Sequence, residues 1–191
     1  EMFTPGTTIL GEHQRSWLMN GLEHSATHWN VLAQQVMVAM LDRQPGPGVQ
    51  LSMDKWSAYE LERRDFLNFL HDAQINNPVV LTGDIHKNYV CELIRDFDDL
   101  DGKSVGTEFV GTSISSAGDG FDQPKDIGGL LADNPFLKYH NGERGYVSCT
   151  VDKKEWRTDY RTVPYVTRKG APINTRASFV VESGRPIINR A

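Results

Sequence analysis

Asp84 and His86 stand two residues apart in VVLTGDIHKNY (79–89), directly after a short apolar run. A carboxylate and an imidazole at that spacing project to one side of an extended chain. They offer an oxygen and a nitrogen donor, a pair suited to hard or borderline metal ions rather than soft ones. Their position also favours function, because polar groups gather where buried strands of open α/β sheets end. Gly83, just before them, is expected to permit a tight turn and close approach of other groups. By itself G-D-x-H is short, and an Asp capping a turn beside an exposed His leaves the same letters.

The elements that must hold this pair can be read around it. Glu12 to Glu23 has the spacing of a helix, with Trp17, Leu18 and Leu22 near one face. A strand is expected in WNVLAQQ, followed by a loop over 42–50 that Pro45 and Pro47 break. Ser57 and Glu60 match an S-x-x-E capping box ahead of a helix that carries Phe66, Phe69, Leu70 and Ala73. Pro78 to Gly83 is continuously apolar, as a strand buried on both faces reads. Further strands are expected at Tyr89–Ile94, Val105–Gly111, Tyr146–Val151, Trp156–Val163 and Ala177–Val181. Helices early and strands late point to a sheet-rich α/β layer structure.

Composition sets outer bounds. At 191 residues, 39% hydrophobic and 24% charged, the chain suits one folded domain or one large piece of a domain. A net charge of −5 argues against a general nucleic-acid or anionic-membrane surface, yet leaves room for a phosphorylated substrate held through metal ions. No apolar stretch approaches the roughly 20 residues that span a bilayer. No Gly-rich nucleotide loop of the usual kinds appears. Cys91 and Cys149, in VCELI and VSCTV, are expected as buried free thiols. The chain opens on Glu1 rather than Met, which is expected of an internal or processed start.

Seven blocks carry a longer signal: ILGEHQRSWL (9–18), HWNVLAQQV (28–36), SMDKW (52–56), NPVVLTGDIH (77–86), GTEFVGTSISSAGDG (106–120), RGYVSCTV (144–151) and TRASFVVE (175–182). In order and spacing, over nearly the whole chain, they resemble the PhoD family of metallophosphatases. The resemblance implies a calcineurin-like α/β fold of two packed mixed β-sheets flanked by helices, with residues 1–191 as the C-terminal part of the catalytic domain. It implies an alkaline phosphatase or phosphodiesterase in which a dinuclear-metal-activated hydroxide attacks phosphomonoesters or phosphodiesters. It implies iron and calcium as cofactors, a phosphate ester as substrate, and an extracellular, periplasmic or cell-surface location. Asp84 and His86 are carried over as metal ligands and catalytic residues, with His86 on the iron side. The other ligands of the family lie in an earlier segment, so the N-terminal half, or another chain, is the expected partner and the isolated fragment is expected to be inactive.

Asp54 in SMDKW is the third candidate ligand, with a surface loop acid as the alternative. The family reads W-D-G-Y where this chain has Trp56, Ser57, Ala58 and Tyr59, so a second aspartate is missing. Arg144 could contact phosphate through its fork of donors or form a structural ion pair. The small, glycine-rich stretch GTSISSAGDG (111–120) could line a substrate entrance or be a solvent loop. Rival readings are a phosphatase-fold domain that has lost its metals and a binding or structural module.

Overall fold

A computed structural model describes residues 2–100 and 102–191. Helix α1 (Gly11–Glu23) leads to strand β1 (Asn30–Ala33), a long loop and a 3₁₀ turn at Trp56–Ala58. Helix α2 (Glu60–Asp72) then precedes β2 (Pro78–Thr82), β3 (Asn88–Ile94), β4 (Ser104–Val110) and β5 (Gly120–Phe121). After the short helix α3 (Ile127–Asp133) come β6 (Leu137–Val151), β7 (Glu155–Val163), β8 (Asn174–Glu182) and β9 (Ile188–Arg190). The strands form one mixed sheet in the order β1-β2-β4-β3-β6-β7-β8-β9, with β5 paired to β6. β1, β2 and β4 run parallel, and the other neighbours are antiparallel.

The expected mixed α/β architecture is present, and its two layers are made by a single sheet that folds over itself. Strand β6 is the hinge. Its first residues pair with β3, and those from Arg144 onward pair with β7. At the changeover a Cβ on Gly145 would lie 1.9 Å from the Arg161 carbonyl oxygen, so only glycine allows the strands to approach there. Beyond the bend, Tyr160, Phe179 and Val181 pack against Val79, Val90 and Phe109. Tyr160 Oη donates to the Tyr89 carbonyl at 2.6 Å and ties the layers together.

The opposite face takes α2 and the loop after β1: Val80, Val110, Cys91 and Leu93 share a core with Met37, Val38, Phe66, Leu67 and Leu70. Strand alternation sends Val79 to one core and Val80 to the other, and both are fully buried. The strand is therefore buried on both faces, as its sequence reads, and the cover on each face comes from this chain's own residues. What stays open is the β1 edge, where Val31 is 45% exposed and Trp17 of α1 69% exposed. Trp17 therefore does not share the buried position of Leu22. Cys149 also departs from expectation: it lies outside both cores and is exposed, whereas Cys91 is buried.

The capping box does not form. Tyr59 occupies the N-cap of α2 with no side-chain cap bond, and Ser57 Oγ donates to the Ser52 carbonyl at 2.6 Å. Glu60 turns inward and accepts from Arg63 Nε at 2.7 Å and Arg64 Nε at 2.6 Å. Two guanidinium groups are stronger donors for a buried carboxylate than one backbone N–H.

Glu108 on β4 is a buried carboxylate held by three donors. Fully buried on the helix side, it accepts from Val38 N and Ala39 N at 2.9 Å each and from Thr82 Oγ1 at 3.1 Å. Burial, the larger effect, raises its carboxyl above the ordinary value, while the Ala39 and Val38 amides pull it down. Between the ordinary and the raised value, the folded protein holds a proton that the unfolded chain has released. The contribution of Glu108 is thus fully present below the ordinary carboxyl range and declines as pH rises through the raised value. Glu108→Gln, which cannot ionise, should flatten that slope in urea melts run at successive pH values; an unchanged slope would refute the assignment. Glu108→Ala leaves two buried amides unpaired and should cost about 2–5 kcal/mol in the same melts.

Candidate functional site

The apolar strand β2 ends at Thr82, and the chain then bends through Gly83 to Lys87 before β3 begins. The bend is not extended, so the side-by-side projection expected of Asp84 and His86 does not arise from strand alternation. Asp84 has φ 65° and His86 φ 56°, two left-handed residues in one short loop. Ile85 N donates to the Gly83 carbonyl at 2.7 Å, closing a γ-type turn centred on Asp84. Gly83 itself needs no special conformation, because a Cβ there would meet only the Gly111 carbonyl oxygen at 3.8 Å. The strain falls on the two chemical residues instead, at a cost of about 1–3 kcal/mol each that the surroundings must offset.

Lys55 holds one side of the bend. Its Nζ lies 2.5 Å from Asp84 Oδ2 and 3.6 Å from Asp54 Oδ1. The lysine side chain is only 8% exposed, whereas Asp84 and Asp54 are open to solvent. Lys55 is fixed by its neighbour Trp56, which is buried against Phe66 and donates from Nε1 to Gln34 Oε1 at 3.0 Å. Asp54 Oδ1 also accepts from Ser52 Oγ at 2.6 Å. That hydroxyl, and after it the Lys55 ammonium, hold the Asp54 carboxyl below its usual value. Asp54 and Asp84 are thus brought together across one lysine.

Arg144 holds the other side. Buried near the bend of β6, it makes no ion pair among the described residues, contrary to one of the two readings of its sequence context. Its Nη1 donates to the His86 carbonyl at 2.7 Å, and its Nε donates to the Gly118 carbonyl at 2.9 Å. The same Nη1 lies 3.3 Å from both Thr112 Oγ1 and Ser113 Oγ. One guanidinium therefore stitches the Asp84–His86 bend to the glycine-rich 111–120 loop. Asn88 completes the frame: its Oδ1 accepts from Thr112 N at 3.0 Å and its Nδ2 donates to Asn141 Oδ1 at 3.0 Å.

His86 is exposed, and its ring makes no hydrogen bond among the described residues. No three His, Cys, Asp or Glu side chains converge to hold a metal among the described residues. The donor chemistry of Asp84 and His86 suits a hard or borderline ion, but two donors do not complete a coordination shell. Ser57 is buried and serves the loop backbone through its bond to the Ser52 carbonyl. Sequence reasoning missed Lys55 and Asn88. The signal for Lys55 was a charged residue between Asp54 and Trp56 in the quoted SMDKW block; Asn88 had none beyond its place before an apolar strand.

A sequence profile of the family described as PhoD-like phosphatase matches residues 1–160. Alkaline phosphatase D of Bacillus subtilis (strain 168) is 44% identical over 182 residues, covering 95% of this chain and 31% of that protein. The solved structure of PhoD superposes with a TM-score of 0.95 at 42% identity, over 100% of this chain and 37% of that one. The chain spans about a third of the length of these relatives.

Arg144→Met removes the donor from the His86 carbonyl and should loosen both loops at once. Amide hydrogen exchange at 84–87 and 112–118 should accelerate together, with a stability loss of about 1–3 kcal/mol. Faster exchange in only one loop would show that the guanidinium does not couple them.

Proposed function

Because the chain belongs to the PhoD-like phosphatase family, we propose that it supplies part of the active site of a metal-dependent phosphoester hydrolase acting on monoesters, diesters or both. One observation carries this reading. Asp84 and His86 are exposed at the end of a buried parallel strand, in strained conformations that Lys55 and Arg144 clamp from two sides. Strain of this kind persists where the surroundings over-determine it and is concentrated at functional sites.

In this proposal Asp84 gives a carboxylate oxygen and His86 a ring nitrogen to iron and calcium ions, with Asp54 as a further oxygen donor beside them. Bound metals would lower the pKa of a water and offset charge on the phosphoryl oxygens. The chain's own residues do the positioning. Lys55 fixes the Asp84 carboxylate and balances its charge, Arg144 fixes the backbone at His86, and the 111–120 loop borders the substrate entrance. The remaining ligands come from the rest of the protein, this chain being the C-terminal part of the catalytic domain. The open β1 edge, flanked by Trp17, Val31 and Leu32 around an apolar cavity of about 210 Å³, supports a place where that part joins. A location outside the cytoplasmic membrane fits the reading, and among the described residues no helix is long and apolar enough to cross a membrane.

A second reading, a phosphatase-fold domain without metals, is favoured by the Lys55 ammonium, which already gives Asp84 a positive partner. One experiment separates the two. The full-length protein should hydrolyse p-nitrophenyl phosphate or its bis ester and lose that activity to a chelator, while residues 1–191 alone show no turnover. Asp84→Asn should reduce kcat about 100-fold or more with little change in Tm. Chelator-resistant or absent activity in the full-length protein would favour the metal-free reading. Full activity in Asp84→Asn would remove the residue from the site.

A further inference from the structure

A cavity with a mixed polar and apolar lining lies beside the Asp84–His86 bend and is used by none of the chemistry above. It encloses about 190 Å³ between the loop after β1, the start of β3, the approach to α3 and β6. Arg43, Lys87 and His140 line it, with Leu41 and Leu130 as apolar wall. The cavity gathers positive charge in a protein whose net charge is −5. Neither Arg43 nor Lys87 has an ion-pair partner among the described residues.

His140 gives a second, independent sign. It is 2% exposed, and its Nδ1 is a buried polar atom with no hydrogen-bond partner. Groups left in that state are uncommon and call for a ligand, an ion or water. Burial, and after it the Lys87 charge, draw the His140 pKa down to about 4. The ring is held edge-on to Tyr89 at 5.0 Å and stacked with Phe121 at 6.2 Å, so it cannot easily swing to a new partner.

Two acids stand at this site, each held by other partners. Asp126 also lines the cavity, and its Oδ1 accepts from Gly129 N at 3.1 Å as the N-cap of α3. Asp122 pairs with Arg176 and accepts from Asn141 Nδ2 at 2.9 Å. The loop that carries Arg43 is also built in advance. Asp42 Oδ1 accepts from Gln44 N at 3.1 Å and Gln50 N at 2.9 Å, and Gly46 N donates to Asp133 Oδ2 at 2.7 Å.

We infer that this pocket binds a phosphate group, held by the Arg43 guanidinium and the Lys87 ammonium with His140 as a further donor. The guanidinium fork matches two phosphate oxygens, and the ammonium adds a point charge on a third. Lys87 follows His86 directly, so the pocket shares the Asp84–His86 bend while using different side chains. The inference does not depend on metal binding at Asp84.

Titration of the protein with inorganic phosphate at low ionic strength, followed by NMR of the His140 ring and the Lys87 and Tyr89 amides, tests it. Saturable shifts at these three residues are expected. Lys87→Met and Arg43→Met should each weaken binding about tenfold or more, since each removes a charge-assisted contact. Asp84→Asn should leave the affinity unchanged, which separates this pocket from the metal site. Phenyl phosphate in a parallel titration distinguishes the two sources: a pocket for free phosphate binds inorganic phosphate more tightly, and a pocket for an ester's phosphate binds phenyl phosphate more tightly. Arg43 is exposed, so Arg43→Met carries the test should Lys87→Met fail to fold. Absence of saturable shifts, or equal affinity in wild type and both variants, would overturn the proposal.

Discussion

A carboxylate buried in the middle of a sheet governs how the rest of this chain can be arranged. Glu108 stands on the helix side of β4, and its oxygens take the amides of Val38 and Ala39 and the hydroxyl of Thr82. The loop after β1 has no regular partner of its own, so these bonds decide where it runs. They also register it against the last residue of β2, from which the Asp84 bend departs. An unpaired carboxylate at this depth would be costly, and three donors make the placement tolerable. With the loop fixed, Met37 and Val38 can fill the core against Phe66 and Leu67.

The consequence reaches the site through a short series of contacts. The anchored loop holds Gln34, whose side chain accepts from the Trp56 ring nitrogen. Trp56 is locked on Phe66, so its neighbour Lys55 reaches Asp84 from a fixed base. The loop backbone takes part as well, since Gly83 N donates to the Gln35 carbonyl at 3.2 Å. From the other layer, the bend in β6 brings Arg144 to the His86 carbonyl. The two left-handed residues are therefore constrained by both layers of the folded sheet. Such over-determination is what allows local strain to remain in a native structure.

The regular elements were legible because hydrophobic periodicity reports burial directly. α1, α2 and strands β2 to β4 and β7 fall where the apolar patterns place them, within a residue or two at most ends. β6 was read short because its first half, LKYHNGE, alternates weakly and contains His140 and Asn141, both buried by partners remote in sequence. β5, α3 and β9 are too short or too glycine-rich to leave a period. The family blocks singled out Asp84, His86 and Asp54 as candidates, but local rules misassigned what supports them. Ser57 and Glu60 fit a capping box, yet Arg63 and Arg64 compete for the glutamate once it is buried. Gly83 looked like the source of the turn, yet the positive φ values belong to its neighbours. Lys55 and Arg144 act through contacts 29 and 58 residues away, which no local pattern encodes.

The Lys55 contact bears on whether Asp84 can serve a metal at all. A lysine at 2.5 Å supplies positive charge and at first sight takes the place of an ion. A carboxylate, however, has two oxygens and about four lone-pair directions. Lys55 uses Oδ2, and Oδ1 of Asp84 has no hydrogen-bond partner among the described residues. Metal-ligating carboxylates are commonly hydrogen-bonded in this way, and such outer contacts orient the free oxygen. The ammonium also offsets part of the repulsion between Asp54 and Asp84, which would otherwise oppose bringing both acids near one centre. Lys55 is therefore compatible with a role that orients Asp84, and it makes the carboxylate's direction a property of the buried Trp56 anchor rather than of the exposed bend.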